Sequence, residues 1–442
     1  MSKTLQTTHY SLFANLMSIN SVYEKKILKN GLTLLTVPIE GAASITMSIF
    51  VKAGSRYEEK KVNGISHFLE HLHFKGTKKY PNAKKLSETV DEIGGEFNAN
   101  TGKEHTQYFI RAAYKHLPLV FGVLTDMLQN PIFDEREMER EKGVIIEEIN
   151  MYKDNPQIHV ESLFEETLWN DQPLGRDIAG TAEVIRSLTR ADILDFRNRF
   201  YQPSNMIIAI SGNFNQKQLE DLVEEHWTKV PNKKIGGFKS VYEKQSIPRL
   251  SVQNKVTEQA HMIVGFCSYA YRHKLNYPLR ILSTVLGGGM SSRMFLRIRE
   301  RLGLAYYVST SFNNYLDTGD FFVQSGLKVA SAPKALEVIL DELRKVRDQG
   351  ITAKELKKAQ EYIKGKIALA MEDPHEKLEW YLGQEAFTGR IRTIKQAFEE
   401  LDRVTVPQVK QVSEELIQND QLNMAIIGPF ADKSIFEKKF KL

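Results

Sequence analysis

Two histidines four residues apart, His67 and His71, with Glu70 between them, are the residues best placed in this chain to do chemistry. On a helix such a pair projects from one face, about 40° apart around the axis, so both imidazoles can reach one metal ion. Glu70 then stands beside the metal, where a carboxylate can take a proton from water as general base. Ile65, Phe68, Leu69 and Leu72 supply the apolar stripe the helix needs, and Gly76-Thr77 predicts its end. Composition alone gives roughly 0.02 such patterns in a chain of this length, so a solvated surface pair is the weaker reading.

A catalytic zinc takes three protein ligands and keeps a fourth position open. The third is expected on a facing helix, and the segment from Glu139 to Glu148 supplies two neighbouring carboxylates, Glu147 and Glu148. Glu148 shares a helix face with Val144 and Ile145 and lies about 20° from Glu141, whereas Glu147 is rotated about 100° away. An inward carboxylate beside an apolar stripe calls for a partner, and zinc is a good one. Glu148 is therefore the expected third ligand, with Glu147 as the alternative.

The elements that must position these groups repeat along the chain. A strand pair from Lys26 to Val37 turns at Asn30-Gly31, and a strand from Ser44 to Lys52 precedes the motif helix. A helix from about Asn82 stops at Gly94-Gly95. Phe97 to Thr101 and Thr106 to Ala112 read as paired strands, followed by helices from Pro118 to Gln129 and from Asp134, where Asp134 and Glu137 suggest a capping box. The order from Tyr108 returns at Phe321-Phe322-Val323-Gln324, Ala335 to Asp348, Ile351-Thr352 and Lys354 to Ala370, an internal duplication in pattern more than identity. The expected organisation is an extension over residues 1–21, a metal-binding domain over 22–229, a Pro/Gly/Lys linker over 230–248, and a second, similar domain over 249–442 without the motif. Each domain is expected to be α+β, a mostly antiparallel sheet covered by helices.

With 442 residues, 42% hydrophobic and 26% charged, the chain has the composition of an ordinary globular protein. A formal charge of +5 without a basic run gives no case for nucleic acid, and no stretch is apolar and long enough to span a bilayer. The single cysteine, Cys267, excludes an intrachain disulfide and fits a reducing compartment. Cytoplasmic location is the default expectation, with the mitochondrial matrix as the alternative; the first 21 residues are a poor secretory signal.

The sequence resembles the pitrilysin family of inverted-motif zinc peptidases, which includes mitochondrial processing peptidase and insulin-degrading enzyme, and it most resembles the bacterial half-length members and the processing peptidase beta subunit. The resemblance rests on Gly64 through His71, Phe74-Lys75-Gly76-Thr77, Gly95-Glu96-Phe97-Asn98-Ala99, Glu141 through Glu148, Gln172-Pro173-Leu174-Gly175 and Gly303-Leu304-Ala305-Tyr306. It implies a zinc-dependent endopeptidase for extended peptides in an enclosed chamber, with His67, His71 and Glu148 on zinc, Glu70 as base and Glu141 as a supporting carboxylate. It also raises Arg299 and Tyr306 to candidates for stabilising the oxyanion, with Arg297 and Arg301 as rivals. The strand Phe97 to Thr101 would pair with the peptide, with Asn98 and Ala99 lining the cleft; for Asn98 a plain turn role competes evenly. His73 and His105 are expected to be structural. Full-length relatives join two such halves, so a homodimer with composite sites is implied here. The alternatives are a presequence-processing peptidase with a distinct partner subunit, or a non-catalytic structural homologue.

Overall fold

Runs rich in Val, Ile, Phe and Thr build two sheets in the computed structural model, which describes residues 23–442. The extension expected over residues 1–21 lies outside the described residues. The first sheet contains β1 (Glu24–Ile27), β2 (Thr33–Pro38), β3 (Ser44–Val51), β4 (Glu96–Thr101), β5 (Thr106–Ala113) and β6 (Met206–Gly212), in the order β1-β2-β6-β3-β5-β4. The second contains β7 (Arg249–Asn254), β8 (Gln259–Ser268), β9 (Ala305–Asn314), β10 (Gly319–Lys328) and β11 (Asn423–Gly428), in the order β7-β11-β8-β10-β9. Apart from β1 the two orders are the same. Each has one parallel pair, β2 with β6 and β7 with β11, and is otherwise antiparallel. The architecture is α+β, and β4 and β9 occupy equivalent sheet edges.

Helices follow the same plan in both halves. The motif helix (Ile65–His73) packs on a long helix (Glu135–Asp154), and their counterparts are Asn276–Gly287 and Ala353–Ala370. The long helix starts at Asp134, whose carboxylate accepts from the amides of Arg136 and Glu137. The reciprocal half of a capping box is missing there, because the Glu137 carboxylate pairs with Arg140 at 2.8 Å. Thr352 caps the counterpart with a complete box through Glu355.

The sheets are not covered only by their own half. Helix Pro156–Trp169 crosses from the first half and places Val160, Phe164 and Leu168 on Ile263, Ala425 and Ile427 of the second sheet. Helix Pro374–Thr388 crosses the other way and seats Leu378, Tyr381 and Leu382 on Leu35, Val37, Phe50, Ile207 and Ala209. Each crossing is pinned by the same chemistry: Gln324 Nε2 donates to Glu161 at 2.9 Å, and Gln107 Nε2 donates to Glu379 at 2.6 Å. Exposing the three large apolar side chains of either helix costs roughly 5–9 kcal/mol, comparable with the net stability of a whole domain. The halves are therefore interlocked.

Residues 231–248 form neither helix nor strand, yet they are clamped between the halves. The Arg56 side chain is wholly buried, ion-paired with Glu104 and, through both guanidinium nitrogens, with Asp317 of the second half at 2.8 and 3.0 Å. Its guanidinium lies 4.0 Å from the Phe238 ring centre. Asp317 also accepts from the Val241 amide at 2.9 Å, so one buried node fastens both halves and the connecting segment.

Candidate metal centre

The motif helix is held against the first sheet by Ile65, Phe68, Leu69 and Leu72, all buried, and this turns His67 and His71 toward the long helix. Their Nε2 atoms stand 3.1 Å apart, and Glu148 Oε2 lies 3.7 Å from that of His67 and 3.5 Å from that of His71. Tetrahedral ligands at 2.0–2.2 Å from zinc would be about 3.3–3.6 Å from one another, so the triangle is the right size. Among the described residues, this is the group of three or more His, Cys, Asp or Glu side chains close enough to share an ion. Burial first, and the neighbouring His71 second, lower the His67 pKa to about 4, leaving the neutral imidazole that a metal requires. Two imidazoles and one carboxylate fit zinc and leave a fourth position for water or substrate.

Two of the three candidate ligands are supported from behind, whereas His67 Nδ1 is buried without a hydrogen-bond partner. His71 Nδ1 bonds to Glu141 Oε1 at 2.8 Å, and Lys75 holds the other oxygen at 2.6 Å. Burial opposes ionisation of Glu141, but the hydrogen bonds from His71 and Lys75 outweigh it and its pKa falls below the ordinary value. Tyr152 donates to Glu148 Oε1 at 2.8 Å. A fixed carboxylate behind a ligating histidine orients the ring and raises its basicity.

Glu70 is buried beside this cluster, and Thr101, the last residue of β4, donates to its Oε2 at 2.5 Å. Burial raises the Glu70 pKa; the Thr101 bond and His71 offset part of the rise, and the charge of Glu148 adds to it. A carboxylate tuned upward and held next to a water-binding position suits a general base.

The structure separates the two candidate carboxylates: Glu147 is exposed and turned away, and Glu148 faces the histidines. The apolar stripe expected beside Glu148 is only partly there. Ile145 is buried, but Val144 is 49% exposed, because the helix buries the face of Met138, Glu141, Lys142, Ile145 and Ile149 instead. Glu148 sits at the border of that face.

On β4 the side chains alternate: Glu96, Asn98 and Asn100 are exposed, whereas Phe97, Ala99 and Thr101 are half-buried on the face that meets Glu70. Asn98 lies mid-strand, not in a turn, and its side-chain oxygen accepts from the Ala99 amide at 2.8 Å. β4 has a neighbour on one side only, so its outer edge is open.

Arg299 and Tyr306 are not brought to the cluster. Among the described residues they share no hydrogen bond, ion pair or ring contact with it. Arg299 is exposed, its guanidinium 4.9 Å from the Phe295 ring centre. Tyr306 is 51% exposed, and it is the extra residue of a β-bulge: Gly326 faces Tyr307 and Leu327 faces Ala305, which leaves Tyr306 between them. Of the rivals, Arg297 is engaged by Asp341 and Glu342, and Arg301 is exposed. His73 is buried, bonded to Leu69 O and Tyr108, its pKa lowered by burial to about 3; His105 lies in the β4–β5 turn, stacked on Phe50.

Sequence reasoning missed Tyr152, Thr101 and Lys75. Tyr152 carried a helical signal, since it follows Glu148 by four residues on the same helix, whereas Lys75 lies past the end of the motif helix and pairs with Glu141 of another helix. Thr101 carried none, because its partner lies across a strand-to-helix contact.

Comparison with known proteins identifies the family and the fold. Residues 35–182 match the domain family described as insulinase (peptidase family M16), and residues 187–363 match the one described as the peptidase M16 inactive domain. An uncharacterized zinc protease of Bacillus subtilis is 33% identical over 91% of this chain and 97% of its own length. Among solved structures, a protease from Helicobacter pylori shares the fold with a TM-score of 0.86 at 24% identity, covering 92% of this chain and 100% of that one. An M16-like peptidase from Alicyclobacillus acidocaldarius superposes with a TM-score of 0.82 at 21% identity, over 93% of this chain and 99% of that one.

Proposed function

The chain belongs to peptidase family M16, the pitrilysin family, and on that premise we propose that it is a zinc-dependent endopeptidase that cleaves extended or unfolded peptides internally. One observation carries the reading: His67 Nε2, His71 Nε2 and Glu148 Oε2 converge on a volume the size of one ion, with the buried carboxyl of Glu70 alongside.

His67, His71 and Glu148 would hold the zinc. When bound, zinc supplies Lewis acidity, making water nucleophilic near neutral pH and polarising the scissile carbonyl. The protein's own groups do the rest. Glu70 takes the proton of the attacking water and returns it to the leaving amine, held in place for both transfers by Thr101. Glu141 keeps His71 in one ring orientation. The open edge of β4 pairs with an extended peptide through backbone bonds, which gives affinity with little sequence preference. Ala99, on the face of β4 that meets Glu70, and Asn98 on the opposite face would flank that peptide.

Arg299 and Tyr306 complete the proposal. They lie beside and on β9, the second sheet's equivalent of β4, and among the described residues they share no hydrogen bond, ion pair or ring contact with His67, His71 or Glu148. A symmetric dimer would bring them to the partner's zinc centre, where they would stabilise the developing oxyanion in two equivalent composite sites. Cys267, a free thiol, accords with a reducing compartment such as the cytoplasm. Among the described residues no helix is long and apolar enough to cross a membrane.

The test is a Glu70→Gln chain compared with wild type and with chelated wild type on a peptide library. Glu70→Gln is expected to bind about one zinc per chain and to lose roughly 10²- to 10⁴-fold in rate. Wild-type cleavage rates from Glu70→Gln would remove the assigned base, and cleavage that survives chelation would remove the metal from the reaction.

A further inference from the structure

His71 and Glu148 are braced by other side chains, and His67 is not: its Nδ1 is buried without a hydrogen-bond partner. The position of its ring therefore follows from the first turn of the motif helix, in which it is the third residue. That turn has no cap of its own. The residue before it is Gly64, at φ +100°, which offers no side chain to the free amides of the helix start. A Cβ at Gly64 would stand 2.6 Å from Ala179 O, so none of the usual capping residues fits there.

The cap comes from outside the helix, from Glu58. The Ser66 amide donates to its Oε1 at 2.8 Å, the Gly64 amide to its Oε2 at 2.7 Å, and Asn63 Nδ2 to the same Oε2 at 2.9 Å. The carboxylate thus grips the amides on either side of Ile65 through separate oxygens, and its charge suits the positive end of the helix. Glu58 is buried and pairs with no lysine or arginine among the described residues, a costly place for a carboxylate. Burial raises its pKa, and the hydrogen bonds of Ser66, Asn63 and Gly64 offset part of the rise. Its own backbone is fixed as well: its amide bonds to Ser55 O at 3.2 Å, and Arg176 Nη1 donates to its carbonyl at 3.4 Å. Two residues earlier, Arg56 enters the node shared with Asp317. One short turn, Ser55–Tyr57, therefore joins that node to the start of the motif helix.

We propose that Glu58 is a positioning residue for the metal centre: its two oxygens fix the first turn of the motif helix and thereby the ring of His67. It does for His67 through the backbone what Glu141 does for His71 through the ring. The proposal rests on the zinc-peptidase reading given above for the identity of the ion. Glutamine at position 58 keeps the shape of the side chain but turns an N–H group toward one of the amide donors. The turn then loses at least one hydrogen bond and gains a repulsive contact, beside the residue that carries the first ligand.

The experiment measures zinc affinity by competition with a chelator, and the visible spectrum of the cobalt-loaded chain, in wild type, Glu58→Gln, Asn63→Ala and Thr352→Ala. Glu58→Gln is expected to bind zinc about 10- to 100-fold more weakly and to change the cobalt bands, because the His67 ring meets the ion at another angle. Asn63→Ala removes one donor from Glu58 and leaves both amide bonds, so it folds even where Glu58→Gln does not; it should weaken binding in the same direction by less. Thr352→Ala uncaps the long helix of the second half, far from the ion in the chain's organisation, and should lower Tm while keeping wild-type affinity and spectrum. Glu58→Gln with a lowered Tm but wild-type affinity and spectrum would reduce Glu58 to a plain helix cap and overturn the proposal. Wild-type affinity in Asn63→Ala where Glu58→Gln fails to fold, or an equal loss of affinity in Thr352→Ala, would overturn it too. A wild type that shows the affinity difference from Glu58→Gln but cuts no peptide would sink the peptidase reading and keep the role of Glu58.

Discussion

Tyr152 donates its hydroxyl to Glu148 Oε1 at 2.8 Å, so that the other oxygen, Oε2, is the one facing both histidines. The carboxylate is thereby fixed for single-oxygen ligation before any ion arrives. Tyr152→Phe should retain the fold and weaken zinc binding by about 10- to 100-fold, measured by competition with a chelator of known affinity. Glu148→Gln should empty the centre and Glu147→Gln should leave it filled; the opposite result would reassign the third ligand.

Sharing of the catalytic groups in trans is tested by mixing two inactive chains. One carries Glu70→Gln, the other Arg299→Ala with Tyr306→Phe. In the proposed dimer each such heterodimer would contain one intact composite site, so subunit exchange should return up to about half of the wild-type activity per heterodimer. Confirmed heterodimers without activity, or full activity from a strict monomer, would exclude the arrangement.

Asp320, wholly buried on β10, gives the fold a pH dependence. Burial first and Glu165 second push its carboxyl up to about 7, against hydrogen bonds from Asn313 and the charge of Lys103. In the unfolded chain an aspartate titrates near 3.9, so between these values the folded protein holds a proton that the unfolded chain has released. The stabilising contribution is complete below about pH 4 and is lost as the pH rises through 7. From pH 5 to 8 the wild-type Tm should fall by roughly 3–6 °C relative to Asp320→Asn. Parallel melting profiles for the two chains would contradict the assignment.

Arg56 neutralises two carboxylates from a fully buried position. Arg56→Met leaves Glu104 and Asp317 without their counter-ion and should cost about 3–5 kcal/mol, read as a lowered urea midpoint. Adding Glu104→Gln should recover part of the loss if the penalty comes from the stranded charge.

The parts of the fold and site that were legible in the sequence are those written in local periodicity. The i, i+4 spacing put His67 and His71 on one face, and the seven-residue spacing put Glu148, rather than Glu147, on the side of Glu141. The supporting reason was incomplete, since exposed Val144 shows that Glu148 borders the buried face and is not inside it. Contacts between elements were not legible. Thr101 reaches Glu70 across a sheet edge, and a lone Arg56 in a charged stretch gives no sign that its partner is 261 residues away. Nor does the amphipathic pattern of Pro374–Thr388 say which sheet it will cover, because an apolar face specifies burial and not the partner.

That last helix bears on how the protein is made. The first sheet has its final strand when β6 ends at Gly212, but the cover for its outer face ends at Thr388. At 5–20 residues per second a ribosome needs roughly 10–35 s to deliver the intervening chain. Throughout that interval Leu35, Val37, Phe50 and Ile207 form an apolar surface whose own cover has not been synthesised. The nascent first half would therefore expose this surface until residues 374–388 emerge, and a chain truncated before Pro374, which keeps His67, His71 and Glu148, is expected to aggregate.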